Sequence, residues 1–283
     1  MSRTMQVAST LQELREQLAR LRERSATLAL VPTMGALHAG HLSLIGLAHA
    51  QADAVIASIF VNPLQFGAGE DFERYPRRRQ EDLQKLYDAG VALAWLPTVE
   101  EMYPQGFATT VRVQGPATAG LEDAHRPGHF DGVATVVAKL FIQTGCDVAI
   151  FGEKDYQQLQ VIRRMVQDLS LPVRIIAAPT VREEDGLALS SRNAYLTEEE
   201  RRMAPRLHAE LKRAAQRLRA GTSPLAVEHD ATQALHEAGF VVDYVAVRHA
   251  ETLQPPQDWH NAPLRVLAAA RLGETRLIDN VAV

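Results

Sequence analysis

Apolar residues repeat along this chain with two different periods, and the switches between them mark out its elements. Leu11, Leu14, Leu18 and Leu21 share one helical face behind Thr10-Leu11-Gln12-Glu13, a capping-box sequence, and predict a helix to about residue 24. Residues 27–31 form a short, unbroken apolar run, the mark of a buried parallel strand; Pro32, lacking an N–H for the ladder, is expected to end it. From His41 onward Leu42, Leu44, Ile45, Leu47 and Ala48 recur at spacings of three and four, so a helix is expected from residue 41 to about 53. Residues 54–60 are a second buried run. Strand, helix and strand at this spacing make a βαβ unit, which requires parallel strands and a right-handed crossover.

The alternation continues with a helix over 80–89 stopped by Gly90, a strand over 91–96, a helix over 133–143, a strand over 148–151, a helix over 156–169 and a strand over 173–177. The order then changes. A long helix from Thr197 to about residue 220, a second over 224–238 and strands over 241–247 and 264–270 follow, and the chain closes on Leu277-Ile278-Asp279-Asn280. Helices followed by strands, without βαβ alternation, indicate a separate α+β region. The expected fold class is α/β: a Rossmann-like parallel sheet with helices on both faces over residues 1–182, plus a smaller C-terminal α+β domain over residues 183–283.

Composition adds limits. Apolar residues at 46% and charged residues at 23% are ordinary globular values, and 283 residues exceed one typical core. Thirty Lys+Arg against 34 Asp+Glu give a net charge of −4, so bulk charge argues for neither nucleic acid nor an anionic membrane surface. Any anion site must be local. The single cysteine, Cys146, excludes an internal disulfide, fits a reducing compartment and reads as a buried thiol. Arg3 and the charged segment from Thr10 are unlike a secretory leader, and the longest apolar runs have strand length, so a cytoplasmic location is expected.

The candidate chemistry lies at strand ends. Pro32 to His41 joins a strand to a helix, with Gly35 and Gly40 permitting close backbone approach and His38 and His41 adding donors, which suits a phosphate over a helix N-terminus. On these residues alone a metal pair or an inert structural turn remain alternatives, although the metalloprotease pattern spaces its histidines by four with a glutamate between. Asn62 and Gln65 sit in the loop after the second strand, at the edge where parallel sheets bind ligands. His125-Arg126-Pro127-Gly128-His129 ends the long irregular stretch 97–129 and resembles a second anion-facing helix start. Gly152-Glu153-Lys154-Asp155 repeats the strand, glycine, charge and helix order, and Ser190-Ser191-Arg192 offers two hydroxyls beside a guanidinium. Neither a Walker P-loop nor G-x-G-x-x-G is present.

Read in full, these segments resemble one family. P-T-M-G-A-L-H-x-G-H at Pro32 to His41, F-V-N-P-x-Q-F at Phe60 to Phe66, Y-P-R at Tyr75 to Arg77, H-R-P-G-H-F-D-G at His125 to Gly132, F-G-E-K-D-x-Q-Q at Phe151 to Gln158 and D-G-L-A-x-S-S-R-N at Asp185 to Asn193 are similar to the pantoate–β-alanine ligases, in order along the whole chain. The resemblance implies an enzyme that condenses pantoate with β-alanine through a pantoyl adenylate, releasing AMP and pyrophosphate. It implies an ATP site formed by Met34, Gly35, Ala36, Leu37, His38, Ala39, Gly40, His41, Gly152, Glu153, Lys154, Asp155, Val181, Leu189, Ser190, Ser191 and Arg192. His41, His38, Lys154 and Arg192 are the implied catalytic groups, Gln65, Gln158, Asn62 and Tyr75 the implied pantoate contacts, and Gln65 also the β-alanine contact. Mg²⁺ is implied on the triphosphate with no protein metal cage, together with a homodimer and a lid formed by the second domain. One departure stands out: Ile142 replaces a usual asparagine and Gln143 to Asp147 replaces a proline-containing connection, which leaves local helix termination open. A different adenylyl transfer, including one to tRNA, is the nearest rival. The basic residues of the long helix are interleaved with Glu210 and apolar positions, however, as on a solvated face, and no length remains for an anticodon-reading domain.

Overall fold

The computed structural model describes residues 5–67 and 69–283, so Arg3 lies outside the described residues. In chain order the elements of the first half are β1 (Gln6–Ala8), α1 (Leu11–Arg22), β2 (Leu28–Thr33), α2 (Ala39–His49), β3 (Ala54–Ile59), α3 (Arg79–Asp88), β4 (Leu93–Trp95) and α4 (Val99–Met102). They are followed by α5 (Glu122–His125), α6 (His129–Thr144), β5 (Val148–Gly152), α7 (Tyr156–Asp168) and β6 (Arg174–Ala178). The last hundred residues contain α8 (Glu198–Met203), α9 (Arg206–Arg219), α10 (Pro224–Glu237), β7 (Val241–His249), β8 (Leu264–Leu272) and β9 (Thr275–Ala282).

The chain forms two compact units. The first comprises residues 1–113, 126–153 and 161–179; the second comprises residues 114–125, 154–160 and 180–283. In the first, a six-stranded parallel sheet has the order β1-β4-β3-β2-β5-β6. Alternate residues serve opposite faces. Ala29, Val31, Val55, Ala57, Val148 and Ile150 pack with Ile45 and Ala48 of α2 and Leu86 of α3. On the other face Trp95 donates its indole N–H to Gln143 of α6, and Phe151 meets Phe141 of α6 edge-on. The expected Rossmann-like sheet with helices on both faces is therefore present. Successive strands move outward from β2 through β3 and β4, and β5 then returns to the other side of β2. The β2/β5 boundary is the topological switch point, where such sheets open a crevice at the carboxyl ends.

Several local expectations are corrected. Pro32 does not end its strand: the register continues through Pro32↔Ser58 and Thr33↔Ile59. Thr27 and Thr33 carbonyls accept from Ala54 and Phe60 on the β3 side, so Pro32 faces β5, whose paired register stops at Leu30↔Ala149. No ladder donor is missing there. The helix expected over 197–220 is two helices, α8 and α9, because Pro205 between them has no N–H to continue the ladder. Two strands absent from the sequence reading, β1 and β9, are edge strands of their sheets. The Ile142 departure is harmless to helix termination: Ile142 lies 74% exposed, and Gly145 ends α6 in the left-handed conformation at φ 56° with its N–H on the Phe141 carbonyl.

In the second unit β7, β8 and β9 form an antiparallel sheet. Val247, Val266, Ala268 and Leu277 pack there with Leu207, Leu211 and Leu218 of α9 and Val227 and Leu235 of α10. This is the expected α+β arrangement of helices on one sheet. Among the described residues no helix is long and apolar enough to cross a membrane.

Candidate active site

The turn after β2 is built from two consecutive left-handed residues, Gly35 at φ 84° and Ala36 at φ 50°. Such a pair turns successive N–H groups into one concavity that binds an anion. Here that anion belongs to the protein. Asp82 of α3, 1% exposed, accepts the Ala36 N–H on Oδ2 and the Leu37 N–H on Oδ1, both at 2.8 Å, and Lys85 one turn later donates to the Leu37 carbonyl at 2.7 Å. A Cβ on Gly35 would come within 3.0 Å of Asp82 Oδ2, so the carboxylate leaves room only for glycine. The amides of Ala36 and Leu37 are thus taken by the Asp82 carboxylate.

The helix also starts earlier than expected, at Ala39, with His38 as its N-cap. His38 Nδ1 accepts the Gly40 N–H at 3.1 Å, and His41 Nδ1 accepts the His38 N–H at 3.3 Å, a capping box made from two imidazoles. With Nδ1 accepting in both rings, each neutral imidazole carries its proton on Nε2. The ring centroids are 4.1 Å apart. The two histidines are therefore brought together, in a fixed tautomer, as paired Nε2–H donors.

The loop after β3 is held from several sides. Asn62, 1% exposed, donates to the Gln65 side-chain carbonyl and to the Gly132 carbonyl, each at 3.1 Å, and accepts from the Leu64 N–H and the Tyr103 hydroxyl. Gln65 Nε2 lies 3.3 Å from Met34 Sδ, a weak acceptor. The Gln65 backbone carbonyl accepts from Arg126 at 3.2 Å and His129 Nδ1 at 2.8 Å. Arg126 faces His129 Nε2, so that nitrogen accepts and Nδ1 is the donor. Helix α6 begins at His129, earlier than expected, and a Cβ on Gly132 would overlap the Leu64 carbonyl. The second histidine motif consequently serves Gln65. Its cation is neutralised by Glu70, which takes two bonds from Arg126 at 2.8 and 2.6 Å. Burial pushes the Glu70 carboxyl up, but the Arg126 bonds and charge outweigh it and hold the group below its ordinary value. Tyr75, 5% exposed, packs edge-on against Phe66.

Gly152 ends β5 and Glu153 follows it within the first unit, while Lys154, Asp155 and Gln158 belong to the second. Lys154 Nζ is 3.9 Å from Asp155, and the Lys154 carbonyl accepts from Asn280 at 3.0 Å. Gln157, 3% exposed, bonds to Pro116, Glu122 and Asp123, whereas Gln158 is half-buried. Val181 and Leu189 face each other across a small hairpin, the Leu189 N–H donating to the Val181 carbonyl at 3.0 Å. Directly after it Ser190 Oγ accepts the Arg192 N–H and caps a 3-10 turn from Ser191 to Tyr195. Arg182 of the hairpin makes two bonds to buried Asp279, at 2.7 and 2.8 Å. Cys146 is 2% exposed and burial pushes its thiol up to about 11, so it is inert at neutral pH.

Sequence reasoning missed Asp82, Lys85 and the use of Asp279 and Asn280. The spacing of Asp82 and Lys85 on a polar helix gives no sign that one of them is fully buried.

Comparison with known proteins identifies the family. The family model described as pantoate-beta-alanine ligase matches residues 6–282. A pantothenate synthetase from Bradyrhizobium sp. is 57% identical over all 283 residues and all of its own length, and one from Rhodopseudomonas palustris is 56% identical over the same span. Among solved structures, pantothenate synthetase from Thermus thermophilus has a TM-score of 0.92 at 52% identity, covering 98% of this chain and 99% of its own. Pantoate-beta-alanine ligase from Francisella tularensis, complexed with beta-gamma ATP and beta-alanine, has a TM-score of 0.83 at 33% identity, covering 99% and 98%.

Proposed function

The chain belongs to the pantoate–β-alanine ligase family, and from that premise we infer that it makes pantothenate in two steps. First a carboxylate oxygen of pantoate attacks the α-phosphorus of ATP; the bond to the β-phosphate oxygen breaks and pyrophosphate leaves with the electron pair. Then the amine of β-alanine attacks the acyl carbon, loses a proton, and AMP departs with the C–O pair. The observation that carries this reading is the reciprocal capping of His38 and His41, which holds two imidazoles together at one helix start with Nδ1 accepting in each. Donors preset for charge on the equatorial oxygens and on departing pyrophosphate are what in-line displacement asks of a protein.

His41 holds the family's proton-donating position, its Nε2–H donating a hydrogen bond to the charge that develops as pyrophosphate leaves, and His38 grips a phosphate oxygen. Met34 to Gly40 line the nucleotide. Lys154, Ser190, Ser191 and Arg192 meet phosphate oxygens, with Gly152, Glu153, Asp155, Val181 and Leu189 completing the ATP contacts. Gln65 presents its amide to pantoate and then to β-alanine, and Asn62, saturated by its own bonds, acts by holding that amide. Gln158 and Tyr75 complete the pantoate set. ATP enters as its magnesium complex, the ion riding on the phosphates as it does at other nucleoside triphosphate sites. An acyl adenylate is hydrolysed readily, so residues 183–283 take the part of a lid. A cytoplasmic homodimer belongs to the same reading.

The test is exchange of labelled pyrophosphate into ATP with pantoate present and β-alanine absent. Pantoate-dependent exchange is expected. No exchange, or equal exchange with unrelated carboxylates, overturns the assignment.

A further inference from the structure

The penultimate stretch of the chain carries two adjacent polar residues that the sheet itself does not need. Asp279 and Asn280 on β9 are each 4% exposed. Burying such groups costs free energy unless every partner is supplied, and an apolar pair would pack the strand without that cost. Successive residues of a strand face opposite ways, so this one dipeptide reaches two separate segments.

Asn280 donates from Nδ2 to the Lys154 carbonyl at 3.0 Å and accepts from Arg265 Nε at 2.7 Å. The Arg265 guanidinium lies 3.9 Å over the Tyr156 ring, and Tyr156 is anchored by its hydroxyl on the Ala250 carbonyl at 3.0 Å. The segment around Lys154 is thus held both at its backbone and two residues further on. Asp279 receives two bonds from Arg182, which lies beside Val181 in the hairpin leading to Ser190 and Arg192, and has His208 Nδ1 at 3.2 Å. The two side chains therefore hold the two segments of the second unit that carry its nucleotide-binding residues.

We propose that Asp279 and Asn280 are positioning residues for adenylation, Asn280 setting Lys154 through its backbone and Asp279 setting the Val181 to Arg192 segment through Arg182. The proposal rests on the ligase reading above. Asn280 is needed at its position because one amide both donates to the Lys154 carbonyl and accepts from Arg265. An aspartate there keeps the second bond and turns the first into a repulsion between oxygens.

The experiment measures pantoate-dependent pyrophosphate exchange and thermal unfolding for Asn280→Asp in the full chain, alone and combined with Lys154→Ala. Alone, Asn280→Asp lowers the maximal exchange rate by at least about tenfold, as small misplacements of positioned groups do, with the pantoate KM unchanged. Added to Lys154→Ala it costs less than about threefold more, because residues acting through one another are not additive. An equal loss in both backgrounds, or normal exchange in Asn280→Asp while Lys154→Ala is crippled, overturns the positioning role alone. Near-normal exchange in Lys154→Ala overturns this role and the Lys154 assignment together. Arg265→Lys, which removes the Nε donor behind Asn280, is the second variant should Asn280→Asp fail to fold. It gives a smaller loss, again suppressed by Lys154→Ala, and the same loss in both backgrounds counts against the proposal.

Discussion

Two buried aspartates hold the two units' candidate nucleotide segments, and they do so with opposite chemistry. Asp82, 1% exposed, is bound by two neutral backbone N–H groups in the left-handed Gly35-Ala36 turn. Asp279, 4% exposed, is bound by the Arg182 guanidinium with His208 beside it. The first makes a turn rigid with partners whose charge never changes. The second depends on charge: burial pushes its carboxyl up, but His208 and Arg182 outweigh that and hold it below the usual carboxylate range. Similar burial thus serves a fixed geometric support in one unit and an ion-paired support in the other.

The largest expected effect tests what the first support is for. Replacing His41 with alanine removes a preset donor and should lower pyrophosphate exchange by roughly 10² to 10³ while ATP still binds by calorimetry, as for loss of an oxyanion-hole donor. Near-normal turnover in that variant would refute the role given to the turn. Next, Asp82→Ala leaves two buried amides unpaired and should destabilise the chain by about 3 kcal/mol, seen in urea unfolding, with a parallel fall in exchange. If exchange survives intact in the folded variant, the turn does not need its carboxylate.

A smaller change sharpens the comparison from outside either aspartate. Gly132→Ala forces α6 away from the Leu64 carbonyl, which should cost about 1–3 kcal/mol by overpacking and raise the pantoate KM through Gln65. An unchanged KM would show that the Gln65 loop is not held by this approach. The smallest effect is the pH dependence of the second support. Because the folded Asp279 carboxyl titrates below its unfolded value, its contribution is fully present above the ordinary carboxylate range and is lost as pH falls through the depressed folded value. Asp279→Asn should flatten that part of the acid stability curve, and an unaltered acid profile measured by thermal unfolding would break the contrast with Asp82.

Much of the candidate site was legible in the sequence. His38, His41, Lys154 and Ser190 to Arg192 stand at the ends of apolar runs, and helix-start residues beside strand ends carry a physical meaning even in one dimension. Less legible was what each residue touches. His125 to His129 looks like a second anion site in sequence, yet Arg126 meets Glu70 and His129 meets the Gln65 carbonyl. Pro32 looks like a strand end, yet its missing donor faces an unpaired side.

By itself the sequence determined the alternation of strands and helices, the α/β class with its α+β continuation, the family and the residue types available for adenylation, because periodicity and motif order are properties of neighbours along the chain. Only the tertiary structure decided which polar groups face inward. Asp82 is 45 residues beyond Leu37, Asp279 is 97 beyond Arg182 and Asn280 is 126 beyond Lys154, and bonds across such distances exist only once the chain has folded. The turn from Pro32 to His41 offers imidazoles rather than its Ala36 and Leu37 amides for that reason: a carboxylate from α3 reaches those amides when the sheet forms.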